Sequence, residues 1–177
     1  MNLESLPQNH FRVIYADPPW PGQSGFRDLH YQSMTKKDIL NMPVQKIAMN
    51  DCLLALWSTW LHLPMAVQCI ESWGFTYCTG MPWLKTTKDG QPIFGLGIWF
   101  RGCSELLLIA KRGRIPNPRP ARKGLIQSVR GPHSEKPMEA RSWLTNNFCG
   151  PRIELFARDF HKGWTSWGNQ LPNRDKP

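Results

Sequence analysis

Short apolar runs alternate with capped helical segments along this chain, and that alternation limits its fold more than any other feature. Residues 52–57, Cys-Leu-Leu-Ala-Leu-Trp, are continuously apolar. So short and unbroken a run marks a strand buried on both faces. Residues 105–110 read the same way, and residues 11–16, 75–84 and 153–156 give further strands. Helices are predicted between them. The first covers residues 35–42, with Thr35 as N-cap, Asp38 in its first turn and Pro43 just beyond. The second covers residues 64–73 and is closed by Gly74. The third covers residues 136–147, with Pro137 in its first turn and Gly150 after it. Such an order implies an α/β fold, a largely parallel sheet with helices on both faces. Ligands of such sheets bind beyond the carboxyl ends of strands, and Asp17 stands at one such end.

The 177 residues fit one domain, 1–177. No apolar run is long enough to span a membrane, and residues 1–10 lack a signal-peptide pattern. The expectation is a soluble, cytoplasmic protein with no membrane partner. The cysteines (Cys52, Cys69, Cys78, Cys103 and Cys149) contain no C-x-x-C pair and are odd in number, which predicts buried free thiols and no metal site. The net charge of +9 points to a polyanionic partner. Residues 111–130 concentrate it, with Lys111, Arg112, Arg114, Arg119, Arg122, Lys123 and Arg130 and no acid. Pro116, Pro118 and Pro120 prevent a regular helix there. The stretch reads as a long basic loop suited to phosphates, against the plainer reading of a solvated surface. Residues 86–101 form a second long irregular segment, and long loops in compact domains are often functional.

The chemistry concentrates at Asp17-Pro18-Pro19-Trp20. Asp17 supplies a carboxylate acceptor, while Pro18 and Pro19 offer backbone carbonyls without N–H donors. Such a turn can accept hydrogen bonds from an aromatic amine, whose delocalised lone pair otherwise makes it a poor nucleophile. The same acceptors stabilise positive charge developing on that nitrogen. Trp20 offers a face on which an extruded base could stack. The plainer alternative is a strand-to-loop turn with a core tryptophan. Trp57, Trp73 and Trp83 lie in periodic segments and are expected in the core. Trp99, Trp164 and Trp167 lie in irregular ones and are candidates for stacking. Lys136 opens a helix, where a cation and free N–H groups can hold a carboxylate, or simply cap. Gly168-Asn169-Gln170-Leu171 offers amides suited to ribose hydroxyls or an adenine edge, or forms a polar turn.

Taken in order, residues 15–20, 31–35, 54–57, 83–86, 133–137, 153–158 and 167–171 resemble the MT-A70 family of S-adenosyl-L-methionine-dependent adenine-N6 methyltransferases. The resemblance covers nearly the whole chain from Val13 and is closest to compact bacterial and phage members. It implies a Rossmann-like methyltransferase fold in permuted order, with the catalytic motif before the cofactor strand. It implies that Asp17 contacts the target amine and the methionyl amino group, and that Tyr31 closes over the adenine. Lys136 would bind the methionyl carboxylate with Ser134 nearby. Glu154, Arg158, Asn169 and Gln170 would handle the cofactor's ribose and adenine. Ala157, where a glycine is common, would narrow the space beside the cofactor. The implied substrate is adenine in nucleic acid, DNA favoured over RNA. A catalytically silent nucleic-acid-binding partner of the same fold, or methylation of another amine, remains an alternative, as does a homodimer or a partner subunit.

Overall fold

In a computed structural model of the chain, residues 3–22, 34–119, 123–131 and 135–172 are described. Strand β1 (Phe11–Ala16) lies between β2 (Ala48–Ser58) and β6 (Arg152–Leu155), parallel to both. The seven-stranded sheet has the order β5-β3-β4-β2-β1-β6-β7, with β3 Thr76–Thr86, β4 Ser104–Arg112, β5 Ile126–Val129 and β7 Thr165–Trp167. Strand β4 runs antiparallel to β2 and β3, and the other four pairings are parallel.

The two-residue period of the strands divides their side chains between two cores. On one face Ile14, Ala16, Leu54, Leu56, Leu106, Leu108, Ile153 and Leu155 pack with α1 (Lys36–Leu40), α2 (Val44–Ile47) and α3 (Leu63–Ser72). On the other, Val13, Tyr15, Leu53, Ala55, Trp57 and Leu107 pack with Ala140 and Leu144 of α4 (Met138–Asn147). Residues 52–58 are therefore all buried, as the unbroken apolar run requires. Trp57 is fully buried, and its indole Nε1 donates to the Tyr15 hydroxyl at 2.6 Å. Burial pushes that phenol well above the usual tyrosine range.

Local signals placed most of these elements. Thr35 caps α1, its Oγ1 accepting the Asp38 N–H at 3.1 Å. Gly74 follows α3 at φ +80°, where a side chain would be strained. Trp73 and Trp83 are core residues, as expected.

Several expectations need correction. The basic run 111–130 is not one loop, since Lys111 and Arg112 end β4, and β5 occupies 126–129. Strand β5 is a four-residue edge strand with one buried side chain, so it carries almost no apolar signal. Helix α4 begins at Met138, not at residue 136, with Pro137 as N-cap at ψ 135°. The Pro137 ring disfavours a helical conformation for Lys136. Trp167 belongs to β7 and packs on Phe156, and Trp164 packs edge-on to Tyr15 while donating to Thr145. Neither is a free stacking surface. Cys52 and Cys69 are buried thiols, burial pushing Cys52 up to about 12, but Cys78 and Cys149 are exposed. Among the described residues, no helix is long and apolar enough to cross a membrane.

Candidate active site

The strand directions bring one set of termini to a single edge of the sheet. Six strands (β1, β2, β3, β5, β6 and β7) end there, and antiparallel β4 begins there. Asp17 follows β1, and its side chain remains one-quarter exposed. The turn is built so that its tryptophan anchors it. Trp20 N–H donates to Pro18 O at 2.9 Å, and the Pro19 carbonyl accepts from Met34 N–H at 3.1 Å. Each carbonyl keeps a second lone pair for another donor. The Trp20 indole is 1% exposed and donates through Nε1 to Trp57 O at 3.1 Å. Its ring stacks on His62, so it holds the turn against β2 and presents no open face to a base. That corrects the expected stacking role, because burying the indole removes far more apolar area from water than an exposed position would.

Lys136 reaches this edge from the segment before α4. Its Nζ lies 2.7 Å from Asp17 Oδ2 and 3.4 Å from Glu105 Oε2, and Glu105 Oε1 pairs in turn with Lys85 Nζ. The result is a row of four alternating charges, Asp17, Lys136, Glu105 and Lys85, with side chains between 10% and 25% exposed. Lys136 also sits over the Trp57 ring and Lys85 over Trp83, at 5.7 and 5.0 Å from the centroids. Burial alone would lower the Lys136 pKa, but Asp17, and then Glu105, outweigh it and hold the ammonium above its ordinary value. Burial would likewise raise the Glu105 pKa, but Lys136, and then Lys85, hold it below the ordinary glutamate value. Glu105 and Lys85 were not singled out from the sequence as site residues. Their signal was a charge at the end of a buried strand, where an unpaired ion would be costly.

The remaining residues fall into two groups. Arg158 lies just past β6, and Asn169 and Gln170 just past β7; all three are exposed along the edge that holds Asp17. The Ala157 N–H donates to Trp167 O at 3.0 Å, and a Cβ on Gly168 would fall on the Ala157 carbonyl. Close approach of these two backbones therefore demands the glycine. Ala157 itself is buried. Glu154 accepts two bonds at 3.1 Å from the guanidinium of Arg141 on α4, which ties β6 to that helix. Tyr31, Ser134 and Arg122 lie outside the described residues.

The basic residues are divided between two edges. Because β4 is antiparallel, it carries Arg112 and Arg114 to the edge opposite Asp17. There Arg112 Nη1 donates to Gln45 O at 2.9 Å, and the Arg114 N–H to Asp51 Oδ1 at 2.7 Å. Arg130 stands on the Asp17 edge, its N–H donating to Thr86 O at 3.0 Å, while Arg119 and Lys123 are exposed in the connection that precedes β5. The loop between β3 and β4 leaves the Asp17 edge beside Lys85 and Glu105. It exposes Phe94, Leu96, Ile98, Trp99 and Phe100 by 82–100%.

The charge row carries a pH signature. Glu105→Gln is expected to cost about 2–4 kcal/mol at neutral pH, between the value of a hydrogen bond to a charge and that of a broken buried pair. Because the folded-state pKa of Glu105 is depressed, its contribution is full above the ordinary glutamate value and is lost as pH falls through the depressed one. Urea unfolding of wild type and variant should therefore converge in acid. A gap that stays constant down to about pH 2–3 would show that the row contributes no ionic stability.

The MT-A70 family model matches residues 11–170. The type II methyltransferase M.MunI of a Mycoplasma species is 34% identical over 95% of this chain and 81% of its own. The N6-methyladenosine RNA methyltransferase MTA1 of Pyricularia oryzae is 32% identical over 96% of this chain, and the mouse N(6)-adenine-specific methyltransferase METTL4 is 31% identical over 91%. The match spans 48% and 37% of those two relatives' lengths. With its acidic Pro-Pro-Trp turn inside a match that runs almost end to end, the chain belongs to the MT-A70 family.

Proposed function

We propose that this protein transfers a methyl group from S-adenosyl-L-methionine to the N6 amine of adenine in nucleic acid, with DNA the favoured substrate. The observation that carries this reading is the pairing of Asp17 and Lys136 at 2.7 Å beyond the carboxyl end of β1. A carboxylate and an ammonium side by side fit the two charged ends of an amino-acid moiety, so Lys136 would hold the methionyl carboxylate and Asp17 the amino group. Arg158, Asn169 and Gln170 would take the ribose and adenine, and Glu154 keeps lone pairs for a hydroxyl beside its Arg141 bonds. Tyr31 and Ser134 keep the roles implied by resemblance. Once bound, the cofactor supplies a methyl group on a positively charged sulfur. The chain's own part is to orient the amine: Asp17 and the spare lone pair of Pro18 O accept its N–H groups. They also favour the positive charge that develops on nitrogen, and the Asp17 carboxylate takes up the proton that must leave. The preference for DNA rests on the compact M.MunI relative, named a type II methyltransferase, of which the match spans the larger share. We read the sheet as a Rossmann-like methyltransferase fold in permuted order and the chain as one catalytic domain acting in the cytoplasm.

Asp17→Ala is expected to abolish methyl transfer to adenine-containing oligonucleotides while leaving the circular dichroism spectrum unchanged. A folded Asp17→Ala protein with near wild-type turnover would refute the assignment.

We assign phosphate contacts to Arg119, Arg122, Lys123 and Arg130, and leave Arg112 and Arg114 to the far edge. Counterion release gives a log–log salt slope of about −0.9 per contact on duplex DNA. Replacing Arg119 and Arg130 with alanine should weaken binding to all sequences and flatten that slope by up to roughly two units. Parallel salt titrations of equal affinity would mark both as merely solvated.

The apolar β3–β4 loop is proposed as the contact with a second copy of the chain. Aromatic residues carry roughly 150–250 Å² each, so Phe94, Trp99 and Phe100 with Leu96 and Ile98 approach the roughly 800 Å² per partner of a stable interface. Wild type is expected to sediment as a dimer and an Ile98→Asp, Trp99→Ser variant as a monomer. A wild-type monomer at tens of micromolar would rule this contact out.

A further inference from the structure

We propose that Trp60 is a stacking platform for a nucleobase at the mouth of the Asp17 site. The inference rests on the nucleic-acid reading above and supplies an aromatic face on the turn after β2 in place of Trp20, which is buried. Trp60 opens the single turn Trp60–His62 that follows β2. Strand β2 lies between β1 and β4, so this turn stands between Asp17 and the start of β4 at Ser104 and Glu105. Trp60 is 56% exposed, and its neighbour Leu61 is 76% exposed.

The turn is held from beneath. His62 is buried, with Nδ1 2.8 Å from Thr59 Oγ1 and Nε2 2.8 Å from Pro21 O. A carbonyl oxygen can only accept, so Nε2 donates to Pro21 O. The imidazole stacks on Trp20, ring centroids 5.8 Å apart and planes 13° from parallel. The position of Trp60 is thus set by the same indole that anchors the catalytic turn. A further tether fixes the ring itself: Trp60 Nε1 donates to Ser104 Oγ at 2.9 Å. The polar edge is satisfied by the protein, and the residue as a whole stays more than half exposed. An aromatic ring already immobilised loses little entropy on binding, which favours a flat π-faced ligand over an aliphatic one. Next to a carboxylate able to accept hydrogen bonds from an amine, that ligand is a purine carrying an exocyclic amino group, unstacked from its strand.

The alternative role for Trp60 is a brace between β2 and β4, and three variants separate the two. Trp60→Ala removes ring and bond, Trp60→Phe keeps a ring without the donor, and Ser104→Ala removes only the acceptor. The probe is a short single-stranded DNA containing one adenine, compared with the same strand abasic at that position. Stacking is worth roughly 5- to 150-fold per base, so Trp60→Ala should lose affinity for the adenine strand by a factor in that range. It should then bind both strands alike, with S-adenosyl-L-methionine affinity unchanged. Trp60→Phe and Ser104→Ala should retain most of the wild-type preference for adenine. Equal losses in all three variants, or a Trp60→Ala protein that still prefers the adenine strand, would overturn the proposal. Methyl transfer by the wild type, assayed in parallel, keeps the two readings apart. Turnover with no Trp60 effect refutes the platform alone, while a Trp60-dependent preference without turnover refutes the methyltransferase reading and leaves the platform standing.

Discussion

The row of alternating charges from Asp17 through Lys136 and Glu105 to Lys85 is the constraint around which this edge of the molecule is arranged. Its members come from the ends of β1, β3 and β4 and from the segment before α4. Holding four partly buried ions in place is costly unless every one has a partner. Two carboxylates and two ammonium groups meet that condition without a net charge. Lys136 is then not free to drift when a ligand separates it from Asp17, because Glu105 still holds it. A site that must present an acceptor to one group and a cation to another gains from such an arrangement, since the reorganisation is made at folding and not at each encounter.

The sheet's directions explain why the row can form. One antiparallel strand, β4, brings its N-terminal Glu105 to the edge where the six parallel strands end. The same reversal carries Lys111 and Arg112 to the opposite edge, which divides a basic run that is continuous in sequence. Two aromatic anchors complete the edge. Trp20 is drawn into the core beneath the Asp17 turn, and His62 stacks on it to fix the turn that carries Trp60.

Features governed by local physics were legible in the sequence. Strand β1 was found to the residue, and β2 through its fully buried half, because both faces of those segments are covered. The Thr35 cap and the Gly74 stop were readable because each depends on neighbours within a few residues. Strands β5 and β7 were not, being too short to show a period and defined by their pairing with β3 and β6. The Asp-Pro-Pro-Trp turn and Lys136 were recognised, and they prove to be in contact across 119 residues of sequence. Glu105 and Lys85 escaped notice because nothing local distinguishes a paired strand-end charge from a solvated one. Trp20 was misassigned for the same reason, since whether an indole after a strand points outward or inward is decided by β2 and His62.

The reaction proposed for this site is methylation of the adenine N6 amine. Wild-type protein incubated with S-adenosyl-L-methionine and adenine-containing DNA or RNA, followed by nucleoside mass spectrometry, tests it without any mutant. The expected product is the N6-methylated adenine nucleoside, more abundant from DNA, with no methylated cytosine. Methylation of cytosine, or no methylated nucleoside from either polymer despite cofactor binding, would contradict it.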